Sequence, residues 1–181
     1  MKYLLILTTI WSVSLFASVN EYKDTLKAAR QNSAVAQNEL GDMYRDGNYE
    51  GVDQNYSRAV KWYRKAADQG YADAQSNLGF MYGNGKGVPQ NDAEAVKWYR
   101  KAADQGDASA QSNLGTMYYL GEGIPENTIK AYVWFSMAKT QGETKASTNL
   151  DLIKPEMTKQ QIADAQTLAA KCYESDYKDC D

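Results

Sequence analysis

The chain repeats itself, and that repeat constrains its fold more than any other feature. Ala74-Gln75-Ser76-Asn77-Leu78-Gly79 returns 36 residues later as Ala110-Gln111-Ser112-Asn113-Leu114-Gly115. The longer segment from Ala59 to Gly70, with Trp62-Tyr63-Arg64-Lys65-Ala66-Ala67 inside it, returns at the same interval as Ala95 to Gly106. A weaker third copy runs from Ala131-Tyr132-Val133-Trp134-Phe135 to Gln141-Gly142. Ala36-Gln37-Asn38-Glu39-Leu40-Gly41 precedes its partner by 38 residues, so two extra residues are expected in the loop around Asp46 to Gln54. Strict spacing in apolar segments, with length changes confined to loops, is what stacked structural units require.

Each unit reads as two helices. Leu78, Gly79, Met81 and Tyr82 fall at helical spacing, and the glycines from Gly83 to Gly87 then break the helix before Pro89. Asn91 or Asp92 stands ready to cap a second helix, with Glu94 placed for a capping box. That helix runs through Trp98 to Ala102-Ala103 and is followed by Gly106, as its equivalents are by Gly70 and Gly142. A left-handed residue is needed there, and glycine takes it without strain. Gly79 and Gly115 sit mid-helix, where glycine costs about 1 kcal/mol against alanine. A cost repeated at one register implies close approach of a partner helix, and Trp62, Trp98 and Trp134 are expected to fill the layers between.

The ends depart from the repeat. Lys27-Ala28-Ala29 aligns with Lys65-Ala66-Ala67, so residues 18–33 are expected to form a lone capping helix. The repeat array then covers 34–154. Met157-Thr158-Lys159-Gln160-Gln161-Ile162 opens a final capping helix, with its tail, in 155–181.

The pattern Ala-x-x-x-Leu-Gly-x-Met-Tyr, a Gly-rich loop with Gly-Val-Pro or Gly-Ile-Pro, then Ala-x-x-Trp-Tyr-x-Lys-Ala-Ala-x-x-Gly resembles the Sel1-like repeats, relatives of the tetratricopeptide repeat. The resemblance covers about Glu21 to Tyr173. It implies an all-α fold, a right-handed α-solenoid of antiparallel helix pairs, and a role as an adaptor holding other proteins on its concave surface. With Leu78 and Gly79 as anchors, the tetratricopeptide register puts Ser76 and Phe80 on that surface. Their equivalents are Asn38 and Asp42, then Ser112 and Thr116, with Arg45 and Tyr119 near the rim. None of these positions forms a cluster of Lys and Arg, which a clamp for a terminal carboxylate needs. Some secreted members carry a cysteine pair in every repeat, and a β-lactam-hydrolysing activity has been attributed to some of them. An envelope hydrolase acting on β-lactams or cell-wall material is therefore the alternative, although those repeat cysteines are missing here.

Chemistry is sparse elsewhere. Of 181 residues none is histidine, which removes the usual general base and the commonest metal ligand together. No catalytic residue, metal ligand or cofactor is assigned. Net charge is −3 and no basic block stands out, which argues against nucleic acid as a partner. Asn77 and Asn113 are expected to hydrogen-bond the interhelical loop. The glycines from Gly83 to Gly87 suggest phosphate binding, but they follow a helix and lack the Walker spacing, so a turn is expected.

Met1-Lys2 gives a short positive start, Tyr3 to Phe16 is mostly apolar, and Ala17-Ser18 follows. This is read as a signal peptide over 1–17, with an uncleaved anchor as the alternative. The apolar stretch falls short of the roughly 20 residues a spanning helix needs. The expected product is periplasmic or secreted, without a membrane span, monomeric, and partnered by another protein or peptide. In such a compartment Cys172 and Cys180 are expected to pair as a disulfide, a redox or metal pair being the rival. Eight residues of unbroken helix span about 12 Å, too far for a bridge, so the helix must stop near Glu174 to Asp176 and the tail must turn back.

Overall fold

Asn55, Asn91 and Asn127 start three equivalent helices. Each carboxamide oxygen accepts from the backbone N–H three residues on, at 2.9 Å from Arg58, 3.0 Å from Glu94 and 3.0 Å from Lys130. This satisfies a donor that has no partner within the helix. The computed structural model describes residues 20–49 and 51–180, so the expected signal peptide over 1–17 lies outside the described residues. Residues 20–30 form helix α1. There follow α2 (Ala34–Asp46), α3 (Tyr56–Asp68), α4 (Ala72–Gly83), α5 (Asp92–Ala103), α6 (Ala108–Leu120), α7 (Thr128–Thr140), α8 (Thr144–Ile153), a 3-10 turn (Lys154–Glu156) and α9 (Lys159–Glu174). Among the described residues the only β pairing is an isolated bridge between Tyr49 and Val52, in the loop expected to hold the two extra residues. The fold is all-α, built of antiparallel helix pairs of the α-solenoid kind and closed by a terminal helix.

The chain forms two compact units, one holding α1 to α3 together with residues 86–88, the other holding α4 to α9. In the first, α2 pairs with α3, and α1 docks on α2 through the Tyr22 and Tyr44 hydroxyls, 2.9 Å apart. In the second, α4 pairs with α5 and α6 with α7, while α8 and α9 both pack on α7.

The mid-helix glycines mark close approach of the partner helix, and the ring met there is that of the residue after each tryptophan. A β-carbon on Gly41 would lie 2.5 Å from the ring of Tyr63, one on Gly79 2.7 Å from that of Tyr99, and one on Gly115 2.7 Å from that of Phe135. The residue after each tryptophan therefore fills the layer. Trp62 is only half-buried, with the Lys65 ammonium 4.2 Å from its ring centre. Trp98 is stacked in the same way by Lys101, whereas Trp134 is fully enclosed.

Polar side chains also span the helices. Gln37, Gln75 and Gln111 are buried at one register and accept from Gln69, Gln105 and Gln141, at 2.7, 2.7 and 2.8 Å. Gln37 and Gln111 then donate to the carbonyls of Ala29 and Ala103, on the helix before. One amide thus joins three helices. The left-handed turns stand at Gly70, Gly106 and Gly142 as expected, and Asn32 (φ 70°) takes the same place before α2. The capping box falls elsewhere: Glu94 pairs with Lys97 at 2.5 Å, and the reciprocal box forms between Thr158 and Gln161 at the start of α9.

Helix α9 stops at Glu174, and Asp176 and Tyr177 adopt left-handed conformations (φ 54° and 65°) that turn the chain back. Ser175 holds the turn, its hydroxyl donating to the Cys172 carbonyl and accepting from the N–H groups of Lys178 and Asp179. Cys172 and Cys180 are disulfide-bonded with their Cα atoms 4.4 Å apart, and both are buried.

Candidate functional site

The positions expected to bind a partner divide between the two units, and each group has its own chemistry. In the first unit Asp42 is the centre. It accepts from the Tyr63 hydroxyl at 2.8 Å and the Asn38 amide at 3.2 Å, and pairs with Arg45 at 2.9 Å. Arg45 also forks onto Asp46 at 2.7 and 3.0 Å. That fork raises the Arg45 guanidinium's pKa and holds the Asp46 carboxyl below its ordinary value. Burial, and the Asp42 charge after it, push the Tyr63 phenol upward. Asn38 is 8% exposed and closed in, whereas Asp42, Arg45 and Asp46 all meet solvent.

In the second unit Phe80 stands out on α4 at 38% exposure. Ser76 and Ser112, at 9% and 5%, are closed in. Ser76 hydrogen-bonds Asp107, the N-cap of α6, whose oxygen also accepts from the Ala110 N–H at 2.6 Å. Burial nevertheless pushes the Asp107 carboxyl above its ordinary value. Thr116 and Tyr119 are half-buried on α6, with the Thr116 hydroxyl donating to the Ser112 carbonyl at 3.1 Å. The Tyr119 hydroxyl donates to the Glu156 carboxylate at 2.9 and 3.0 Å, and that contact raises the phenol's pKa.

The register therefore needs a correction at three positions. Asn38, Ser76 and Ser112 are structural: small polar groups one turn before the exposed position, spent on hydrogen bonding within the fold or enclosed by it. Phe80, Asp42, Thr116 and Tyr119 reach the surface. The sequence reading also missed what stands opposite Tyr119. Helix α8 repeats the register of α6, with Ala146 and Leu150 buried as Ala110 and Leu114 are, but it lacks the Leu-Gly signature. It brings Asn149 and Leu152 beside Thr116 and Tyr119, and Glu156 follows on the 3-10 turn. The Ala-x-x-x-Leu spacing from Ala146 to Leu150 was the available signal.

Among the described residues no group of three or more His, Cys, Asp or Glu side chains could hold a metal ion. None of the described helices is long and apolar enough to cross a membrane.

Antiparallel helix pairs at a fixed interval, locked by glycine on ring and by a buried glutamine, define a helical-repeat protein. The Sel1 repeat matches at residues 34–71, 72–107 and 108–143, and the chain belongs to the Sel1 repeat family. Among solved structures it is similar to a Sel1 repeat protein from Oxalobacter formigenes, at 36% identity and TM-score 0.65, over 77% of this chain and 58% of that one. It is similar too to a protective antigen present in uropathogenic Escherichia coli strains that displays an SLR fold, at 28% identity and TM-score 0.66, over 88% of this chain and 42% of the other. Cysteine-rich protein B of Helicobacter pylori matches at 28% identity and TM-score 0.56, over 71% of this chain and 96% of that one. The chain thus spans 58% and 42% of the first two relatives' lengths. No curated protein matches at a significant level. A fold of this family is a scaffold for protein–protein contact.

Proposed function

We propose that this chain is an exported adaptor that binds another protein or peptide through the solvent-facing positions of its first-type helices. The observation that carries this reading is Phe80: a phenylalanine 38% exposed on α4, one turn from a closed serine. Aromatics on binding surfaces carry a large share of binding energy. Export is supported by the leader-like pattern of residues 1–17 and by the bonded Cys172–Cys180 pair, since disulfides persist in oxidising compartments. We read the mature chain as a monomer made of a capping segment over 18–33, an array over 34–154 and a cap with its tail over 155–181, located in the periplasm or outside the cell.

Crosslinking in the native envelope, followed by affinity capture, identifies the partner. Phe80→Ala is then expected to weaken the purified complex by roughly thirtyfold, the equivalent of about 2 kcal/mol, with helicity unchanged. Lys97→Ser, at an exposed ion pair on α5, serves as the control and should change little. Normal affinity in Phe80→Ala would sink this placement of the site.

A further inference from the structure

Two helices end at one apolar niche in the second unit. Leu120 is the last residue of α6 and Ile153 the last of α8, and both line a hollow of about 60 Å³. Phe135 and Ile153 form its closed floor at 1% exposure each, while Leu120 and Leu152 stand out as walls at 53% and 62%. The C-terminal end of a helix carries about half a negative charge on its unsatisfied carbonyls. Neither of these two helices has a basic residue in its last turn to offset that charge. The Glu156 carboxylate adds a full charge at the rim, where it accepts from Tyr119, and Glu126 acts on the same hydroxyl. Lys154, which follows α8, has its ammonium over the Tyr132 ring, 6.0 Å from the centre.

Apolar walls with an anionic mouth match an occupant that is apolar along its length and cationic at its tip. Only lysine and arginine among protein side chains have that profile. Lysine's four-carbon stem covers more apolar wall than arginine's three before the charge is reached, and its ammonium is a compact charge suited to a single carboxylate. We infer that this niche takes a lysine side chain of the bound polypeptide, its stem between Leu120 and Leu152 and its ammonium on Glu156. The ammonium replaces the Tyr119 hydroxyl as the carboxylate's donor. The inference rests on the protein-binding reading above and supplies the chemistry of one contact.

The test uses a twelve-residue Gly/Ser peptide with one central lysine, and its norleucine and glutamate counterparts. Methyl resonances of Leu120, Leu152 and Ile153 report binding to the whole protein. The lysine peptide should shift them with millimolar affinity, norleucine should bind about tenfold more weakly, and glutamate should not bind. Glu156→Gln, at an exposed position, should remove the preference for lysine over norleucine with helicity unchanged. Equal response to lysine and norleucine, or no response of those methyls to lysine, overturns the assignment. If that happens while Phe80→Ala still weakens partner capture, the niche assignment alone falls. If crosslinking in the native envelope captures no protein at all, the protein-binding reading falls with it.

Discussion

Gly79 lies directly beneath the ring of Tyr99: a β-carbon there would stand 2.7 Å from Cδ1 and 2.8 Å from Cε1. In an open helix Gly→Ala gains about 1 kcal/mol of propensity. Here the ring is 5% exposed and has nowhere to go, so overpacking of about 1–3 kcal/mol sets the sign. Gly79→Ala is expected to lower stability by up to about 2 kcal/mol, read from urea midpoints. Adding Tyr99→Leu should recover part of that loss, because it removes the atoms the new methyl meets. Simple addition of the two losses would show that the ring is not the cause.

Gln111 is fully buried, accepting from Gln141 and donating to the Ala103 carbonyl. Gln111→Leu keeps the volume but removes both hydrogen bonds, leaving the Ala103 carbonyl only the Gly106 N–H; at about 0.5–1.5 kcal/mol each, the loss should be about 1–3 kcal/mol in chemical denaturation. Gln141 is exposed, and water can replace its partner. Gln141→Ala should therefore cost under about 1 kcal/mol. Comparable losses from the two variants would mean that the amide pair, and not the buried carbonyl, is what matters.

Burial raises the pKa of Asp107 in the folded protein, outweighing the Ala110 N–H and the Ser76 hydroxyl, and Asp73 and Glu143 push the same way. A carboxyl whose folded pKa exceeds its unfolded value favours the fold below the ordinary 3.8, and that benefit is lost as pH rises through the folded value. Asp107→Asn keeps an equally good N-cap and removes the titration. Its stability relative to wild type should climb as pH rises from 3.8 and then level off. Parallel urea midpoints across that range would show that Asp107 titrates without linkage to folding.

The Cys172–Cys180 bridge closes a short loop, for which chain entropy predicts about 2.5 kcal/mol of stabilisation. Cys180→Ser should lose about that much and retain partner affinity, since the bridge is remote in sequence from Phe80. Non-reducing peptide mapping of exported protein should recover the linked pair. Recovery of two free thiols would contradict the structure.

Helix boundaries, the asparagine caps and the returning tail were all legible, because each follows from local chemistry: an oxygen for an orphan N–H, a glycine for a left-handed turn, two cysteines too far apart on one helix. The glycine's partner was not. Trp98 and Tyr99 differ by one residue, which is about 100° around a helix, and composition favours the larger ring while geometry selects the other. Ser76 and Ser112 were misplaced for a related reason. The transferred register fixes which face of the helix a position lies on but not how deep a small side chain sits there, and Ser76 is committed to the Asp107 cap. Glu156 was out of reach because it belongs to a 3-10 turn beyond the repeat, where no copy elsewhere in the chain shows its register.

The tail's second contact changes how this end of the protein must come apart. Tyr177 rests on Gly106, close enough that a β-carbon there would lie 2.9 Å from its ring. Gly106 belongs to the turn between α5 and α6, whereas the helix that carries the tail packs on α7. In a stack where each helix touches only its neighbours, the last one can peel away alone and fray from the tip. Here the tail is pinned on the turn before α6, so α9 cannot leave without lifting Tyr177 from that turn. Amide exchange along α6, α7 and α9 should accordingly proceed through a single shared opening. Replacing Tyr177 with alanine should split that opening in two, freeing α9 to exchange first.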